Sequence, residues 1–320
     1  EEKMYMKDTI VYNNIFEAVR AIDPGNILLQ QPQKIGGLIR HQNFTLLDMR
    51  DGTVGAFTLN MSSVCYRGES EVYDHCLSSL QRVKEEERMV WQIKAEDFIL
   101  LIKRNHEIKR KQEQKEYIEF TALAQRYGFP TNILDVTNDL IAACYFATHE
   151  VNSVTGQFEI KQRGTGRIRW SDEMIQPVGR LVPIGMQEFQ RPGAQRAYGI
   201  YLKDGEDYAT ESGSILFKQD AVENQRFHQM ILGGPQMFYL QEKIHILGEM
   251  IMQAACVTSE AVDIFCRKQG VKPAYAKENL QKRDIAIVDA PVADWCMLRN
   301  VANSQLPFVR KPQLRPVFAI

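Results

Sequence analysis

No long apolar run, no excess of charge of either sign and no paired-cysteine spacing mark this sequence, and each absence removes a class of protein. The longest uninterrupted apolar stretch, Leu140 to Ala147, falls far short of the roughly 20 residues that a membrane-crossing helix needs. No transmembrane helix is expected, and the chain reads as soluble and without a membrane partner. Its 39 Lys+Arg stand against 40 Asp+Glu, a formal net charge of -1. No global field therefore draws it to nucleic acid or an anionic surface, and such binding would need a local patch. The six cysteines, Cys65, Cys76, Cys144, Cys256, Cys266 and Cys296, include no CxxC pair. In a chain of this size they read as reduced thiols in a reducing, cytoplasmic compartment. The histidines show neither HExxH nor paired Cys/His spacing, so no metal site is expected. A GxSxG elbow is also missing, which leaves hydrolase triads without support.

What is present is ordinary globular composition: 320 residues, 44% hydrophobic and 25% charged, enough for one composite domain or two modest ones. Turn signals at Asp23-Pro24-Gly25-Asn26 and Gly36-Gly37 follow a helical stretch over Asn13 to Ala21. From Thr53 to Tyr66 the pattern is β-like, as two strands or one bent strand, ending at Arg67-Gly68. Lys84 to Lys115 lacks Gly and Pro and reads as one long helix, basic in its second half. Further helices are expected over Glu116–Tyr127, from an Asn138 cap to His149, and over Ala221–Leu232, Gly248–Ala255 and Thr258–Lys268. Between them, short strands are expected at Phe158–Gln162, Arg167–Trp170, Arg180–Ile184, Ala197–Leu202 and Ser214–Phe217, with a late one at Ile285–Val288. Helices, then strands, then helices argue an α+β fold: a mixed or antiparallel central sheet with flanking helices and helical N- and C-terminal extensions. The expected division is 1–52, 53–247 and 248–320.

Several local patterns carry chemistry. Arg67 lies where a β run stops, between Tyr66 and Gly68, and fits either a guanidinium forked onto an anion or a structural salt bridge at a strand end. From Gln125 to Asp135 a helix stop, a rigid turn and a carboxylate after Ile133-Leu134 are packed together. Asp135 there suits a hydrogen-bonded anchor or a chemical role. Gly164-Thr165-Gly166 starts like a dinucleotide fingerprint but lacks the third glycine and a following helix. A hairpin turn pairing Phe158 and Ile160 with Ile168 and Trp170 is the better reading. The basic run Lys103, Arg104, Lys109, Arg110, Lys111 and Lys115 is mixed with glutamates and reads as a solvated face, with nucleic-acid binding as its sharper alternative. Glu188, Glu211 and Glu223 could each supply a general base or bind a ribose hydroxyl, and each is otherwise an ordinary surface glutamate.

Two of these segments, Cys65-Tyr66-Arg67-Gly68-Glu69-Ser70 and Ala124 to Thr137 followed by Ala142-Ala143-Cys144-Tyr145-Phe146-Ala147, together resemble the FRG domain family, named for its (F/Y)RG motif. The family's second block runs like QHYGLPTRLLDWT before an apolar helix ending in YFA. This chain reads QRYGFPTNILDVT and then LIAACYFA. Arg126 stands where the family has His, Asn132 where it has Arg, and Val136 where it has Trp. A looser match runs from Arg191 to Tyr201, so the resemblance spans Thr53 to Phe217. The family occurs mainly in bacteria and their phages and carries no secure reaction. The domain is in turn similar to the ADP-ribosyltransferase superfamily, in which an Arg-Gly at the end of an early strand holds NAD. The resemblance implies NAD as a substrate rather than a cofactor. Arg67 and Gly68 would grip the diphosphate, Gln195 would orient a ribose or amide, and Tyr66 or Tyr127 would stack on the nicotinamide, with Thr131 and Asp135 completing the ligand-binding set. A non-catalytic nucleotide-binding or protein-interaction module is the other function class it allows.

Overall fold

The computed structural model describes residues 10–25, 44–48, 54–58, 64–152, 158–172, 179–184, 189, 192, 195–231 and 242–298. The first elements are strand β1 (Val11–Tyr12), helix α1 (Ile15–Ile22), and strands β2 (Phe44–Asp48), β3 (Val54–Thr58) and β4 (Val64–Glu69). Helices α2 (Glu85–Lys103), α3 (His106–Glu113) and α4 (Phe120–Arg126) follow, then β5 (Ile133–Thr137), α5 (Leu140–Thr148), β6 (His149–Val151), β7 (Phe158–Ile160), β8 (Thr165–Asp172), β9 (Arg180–Pro183) and β10 (Ala197–Tyr201). Next come α6 (Tyr208–Glu211), β11 (Gly213–Lys218), α7 (Ala221–Met230), α8 (Lys243–Gln253), β12 (Cys256–Thr258), α9 (Ser259–Gln269), α10 (Pro273–Gln281), β13 (Ala286–Val288) and a 3-10 turn at Trp295–Leu298.

The main sheet has seven strands in the order β1-β11-β8-β4-β5-β10-β9. It is mixed: β1 runs parallel to β11, whereas the ladders that join β8, β4, β5, β10 and β9 are antiparallel. The fold is therefore α+β. Side chains alternate across each strand, so Ile133 of β5 enters the core made with α2, α4 and α8, whereas Leu134 and Val136 join Cys65, Tyr198, Ile200 and Tyr208 on the opposite face. A further core holds α1, α5 and α7 against Ile168 of β8 and Phe217 of β11. Helix α5 is apolar on nearly every side, and a helix of that kind can only be buried. Helices α9 and α10 pack on α2 through Val90, Ile93, Val262, Phe265, Ala276 and Leu280.

The structure departs from the expected elements in places that local chemistry explains. The long helix over Lys84 to Lys115 is two helices, because the Asn105 side chain accepts from the backbone N–H groups of Glu107 and Ile108 and caps a new start. The α5 cap is Asp139, not Asn138; its carboxylate accepts from Ile141 N–H. Helix α10, with Pro273 in its first turn, was not expected at all, although a proline there is pre-organised for helix. The β run from Thr53 resolves into two strands, β3 and β4. Strand β7 pairs with β6 rather than with β8, which instead lies between β11 and β4. The turn expected at Gly36-Gly37 lies outside the described residues.

Where α5 ends, His149 is 1% exposed. Its Nδ1 lies 2.9 Å from Tyr145 O and its Nε2 2.9 Å from His228 Nδ1. A carbonyl only accepts, so Nδ1 carries the proton, Nε2 accepts and His228 Nδ1 donates. Burial lowers the His149 pKa from 6.5 to about 4 and also lowers that of His228. A histidine depressed in this way costs no stability above its unfolded pKa. Stability then falls as pH drops from about 6.5 towards about 4, where the unfolded chain binds the extra proton, with a limiting loss of about 3 kcal/mol. Urea unfolding of wild type and His149→Gln between pH 7.5 and 4.5 checks this. The variant should lose less stability than wild type over that window, and parallel pH profiles would remove the histidine pair as the cause.

Candidate functional site

The site begins at a seam in the main sheet. Strands β4 and β5 share a single bridge, Tyr66 with Thr137, whereas β4 and β8 are paired along six residues from Val64 to Glu69. Beyond that bridge the Asp135 carbonyl takes its hydrogen bond from a side chain, Arg67 Nη1, at 2.8 Å. Gly68, next to it, faces α5. A Cβ at Gly68 would lie 1.8 Å from Ala143 O and 2.7 Å from Ala147 N. The absent side chain thus lets the helix backbone rest on the strand, and Gly68 serves packing rather than an open approach to a ligand. Strand alternation then sends Arg67 and Glu69 to the opposite face.

That face gathers arginines from two neighbouring strands. Arg67 lies opposite Arg169 and Glu69 opposite Arg167 in the β4–β8 ladder. Glu69 is 5% exposed, Arg167 5% and Arg169 3%. Glu69 accepts from Arg169 Nε at 3.2 Å and lies 3.6 Å from Arg67 Nε. The Tyr73 carbonyl accepts from Arg167 Nη1 at 2.7 Å and from Arg169 Nη2 at 3.3 Å. Glu69 is thus shared between Arg67 and Arg169, and Arg67 Nε makes no hydrogen bond among the described residues. Burial works to lower the Arg67 pKa, but nearby groups, the carboxylates of Glu69 and Asp135 among them, act the other way and the group stays charged. Burial also pushes the Cys76 thiol up to about 12, so that sulfur is neutral and supplies no counter-charge at ordinary pH. Arg82 stands beside this cluster. Exposed overall, it makes no ion pair among the described residues, and partial burial of its guanidinium end, then Arg67, lower its pKa. Two neighbouring guanidinium groups with spare donors form a natural seat for a diphosphate or a similar anion.

The rest of the motif lies on the helix side of β5. Arg126 reaches from the end of α4 to bond Gln195 Oε1 at 2.8 Å and the carbonyls of Val136 and Tyr198 at 3.0 Å each. Its Nε lies 3.2 Å from Asp135 Oδ1, so Asp135 is held as an anchor. Gln125 Nε2 donates weakly to Asp135 at 3.4 Å, and Gln125 Oε1 accepts from Ser79 at 2.6 Å and from Thr131 at 2.8 Å. Thr131 is 4% exposed and Gln195 3%. Tyr127 is fully buried between Phe98 and Phe189 and donates to Glu242 at 2.5 Å. These three side chains are engaged inside the fold and offer no surface to a ligand. Half-buried Tyr66 sits at the seam bridge, its pKa raised by burial and then by nearby acidic groups. Of the candidate bases, Glu223 pairs with Arg226, Glu211 closes the short helix α6, and Glu188 lies outside the described residues.

Sequence reasoning singled out Arg67 and Asp135, which do meet, but missed Arg82, Arg169 and the part played by Glu69. A signal was present: Arg67-Gly68-Glu69 and Arg167-Ile168-Arg169 place charge at period two on strands otherwise buried. An open cleft of about 870 Å3 lies along Glu71, Val72, Glu150 and Lys161 to Thr165. Its shielded cation, Lys161, is already held between Glu71 and Glu150, so charge favours the Arg67 face over this hollow as an anion site. Among the described residues no cluster suits a metal ion, and no helix is long and apolar enough to cross a membrane.

No curated protein and no solved structure matches the chain. Residues 62–155 match the sequence model of the FRG domain. That span runs from β4 through β6 and contains both strands of the seam, Arg67 and its (F/Y)RG neighbours, the Asp135 anchor and helix α5. The chain carries an FRG domain, whose two motif blocks meet at the seam between β4 and β5.

Proposed function

We propose that Arg67 and Arg82 hold the diphosphate of an NAD-type dinucleotide, and that the domain acts on it as an ADP-ribosyltransferase-like or NAD glycohydrolase-like enzyme. The observation that supports binding is that Arg67 Nε has no hydrogen-bond acceptor among the described residues, while Glu69, 3.6 Å away, is already bonded by Arg169. A bound diphosphate would give that nitrogen an acceptor through charge-assisted hydrogen bonds. Cleavage of the nicotinamide–ribose bond passes through an oxocarbenium-like state, so gripping the diphosphate and orienting the ribose are the main demands on the protein. Glu69 is the carboxylate nearest Arg67. One observation favours the second reading, a non-catalytic nucleotide-binding module: both carboxylates near the seam are engaged, Glu69 by Arg169 and Asp135 by Arg126.

Calorimetric titration with NAD and with ADP-ribose, alongside proton NMR for released nicotinamide, tests this. Arg67→Ala and the exposed Arg82→Ala should each weaken binding roughly 10- to 100-fold, the range of a charge-assisted contact, with unchanged circular dichroism. Nicotinamide released by wild type and not by Arg67→Ala makes the domain an enzyme. Binding without release leaves the module, and no binding of either ligand removes the dinucleotide site.

A further inference from the structure

We infer that helices α9 and α10, with the turn between them, form a helix-turn-helix surface that docks on duplex DNA. Helix α9 stops at Gly270, whose φ of 65° and ψ of 23° place it in the left-handed region. Only Val271 and Lys272 then precede Pro273, the start of α10. Two helices joined through such a short, glycine-containing turn are the supersecondary unit of many DNA-binding domains, whose second helix enters the major groove. Here the second helix buries one side only. Ala276 and Leu280 are fully buried on the core shared with α2, while Ala274, Tyr275, Lys277, Glu278 and Gln281 face outwards. A helix of nine residues is about 13 Å long and 10–12 Å across, which suits a groove about 12 Å wide.

Charge separates this surface from other basic parts of the chain. On α2 and α3 the cations are largely spoken for: Arg104 pairs with Glu260, Arg110 with Glu107 and Lys111 with Glu116, while Lys103 lies over the Phe120 ring. Around the turn, by contrast, Arg267, Lys272 and Lys277 are exposed and have no side-chain partner among the described residues. Tyr275, 56% exposed, stands among them, and no acidic residue falls between Arg267 and Lys277. Lys268 and Lys282 flank the patch but are paired with Glu96 and Glu278. In a chain of net charge -1, a local group of exposed cations on one helix pair fits a phosphate backbone. Lys277 and Gln281, one turn apart on the outer side of α10, are residue types that read guanine and adenine edges.

Fluorescence anisotropy of the full chain with a labelled duplex of about two helical turns, at 50 and 200 mM salt, provides the test. Wild type should bind, and its affinity should fall steeply with salt. The triple variant Arg267→Glu, Lys272→Glu, Lys277→Glu should bind at least about 10-fold more weakly, with a salt slope smaller by about 2–3, as for lost phosphate contacts. Its thermal midpoint should stay put, because all three side chains are exposed. NAD titration of the same variant should be unaffected, which separates this surface from the Arg67 site. Absence of duplex binding at 50 mM salt, equal binding by the variant, or tighter binding of single-stranded RNA than of duplex would overturn the inference.

Discussion

Gly68→Ala is expected to give a chain that unfolds far below the wild-type midpoint, with a loss at or beyond the upper end of the roughly 1–3 kcal/mol typical of overpacking. The reason is what the new methyl group would meet. Its nearest neighbours are backbone atoms, Ala143 O at 1.8 Å and Ala147 N at 2.7 Å, and no rotamer change can move them. Relief requires α5 to leave the sheet, taking Ala142, Cys144 and Tyr145 out of their core. Gly248→Ala is the natural control. Its added carbon would lie 3.2 Å from the Phe98 ring, a side chain that can give slightly, and alanine gains about 1 kcal/mol of helix propensity over glycine. Chemical denaturation of both variants checks the contrast. Equal midpoints would show that close packing of α5 on β4 is not what Gly68 provides.

Arg126→Ala should cost about 3–5 kcal/mol, the range for breaking one side of a buried ion pair. Its side chain is 7% exposed and ties α4 to β5 and β10 through Val136 O, Tyr198 O, Gln195 Oε1 and Asp135. Removal takes the guanidinium from two strand carbonyls, one side-chain oxygen and a carboxylate that is only 30% exposed. Asp135→Asn, which keeps the shape and removes the charge, should cost less. The double variant Arg126→Ala, Asp135→Asn should be less destabilised than the two single losses summed, because the stranded charge is gone. Strict additivity in urea unfolding would mean that the Arg126–Asp135 pair contributes nothing beyond the carbonyl contacts. Together these variants separate the architectural half of the FRG motif from the Arg67 half, where substitution is expected to affect ligand binding.

The sequence alone determined the local and compositional features: an α+β chain, the helix stop at Gly128, the capped start of α9 at Thr258, the apolar character of α5, and the two FRG blocks carrying Arg67 and Asp135. These are properties of a few neighbouring residues, set by backbone freedom, capping and periodicity. Only the tertiary structure decided that Gly68 seats a helix, that Arg126 rather than Arg67 neutralises Asp135, that β8 lies beside β4 instead of β7, and that Arg82 comes to stand next to Arg67. Each of these joins residues far apart in the chain. Strand order and side-chain partners depend on which pairings bury the most apolar surface while satisfying every strand carbonyl. That is a condition on the whole fold, and no single segment carries it.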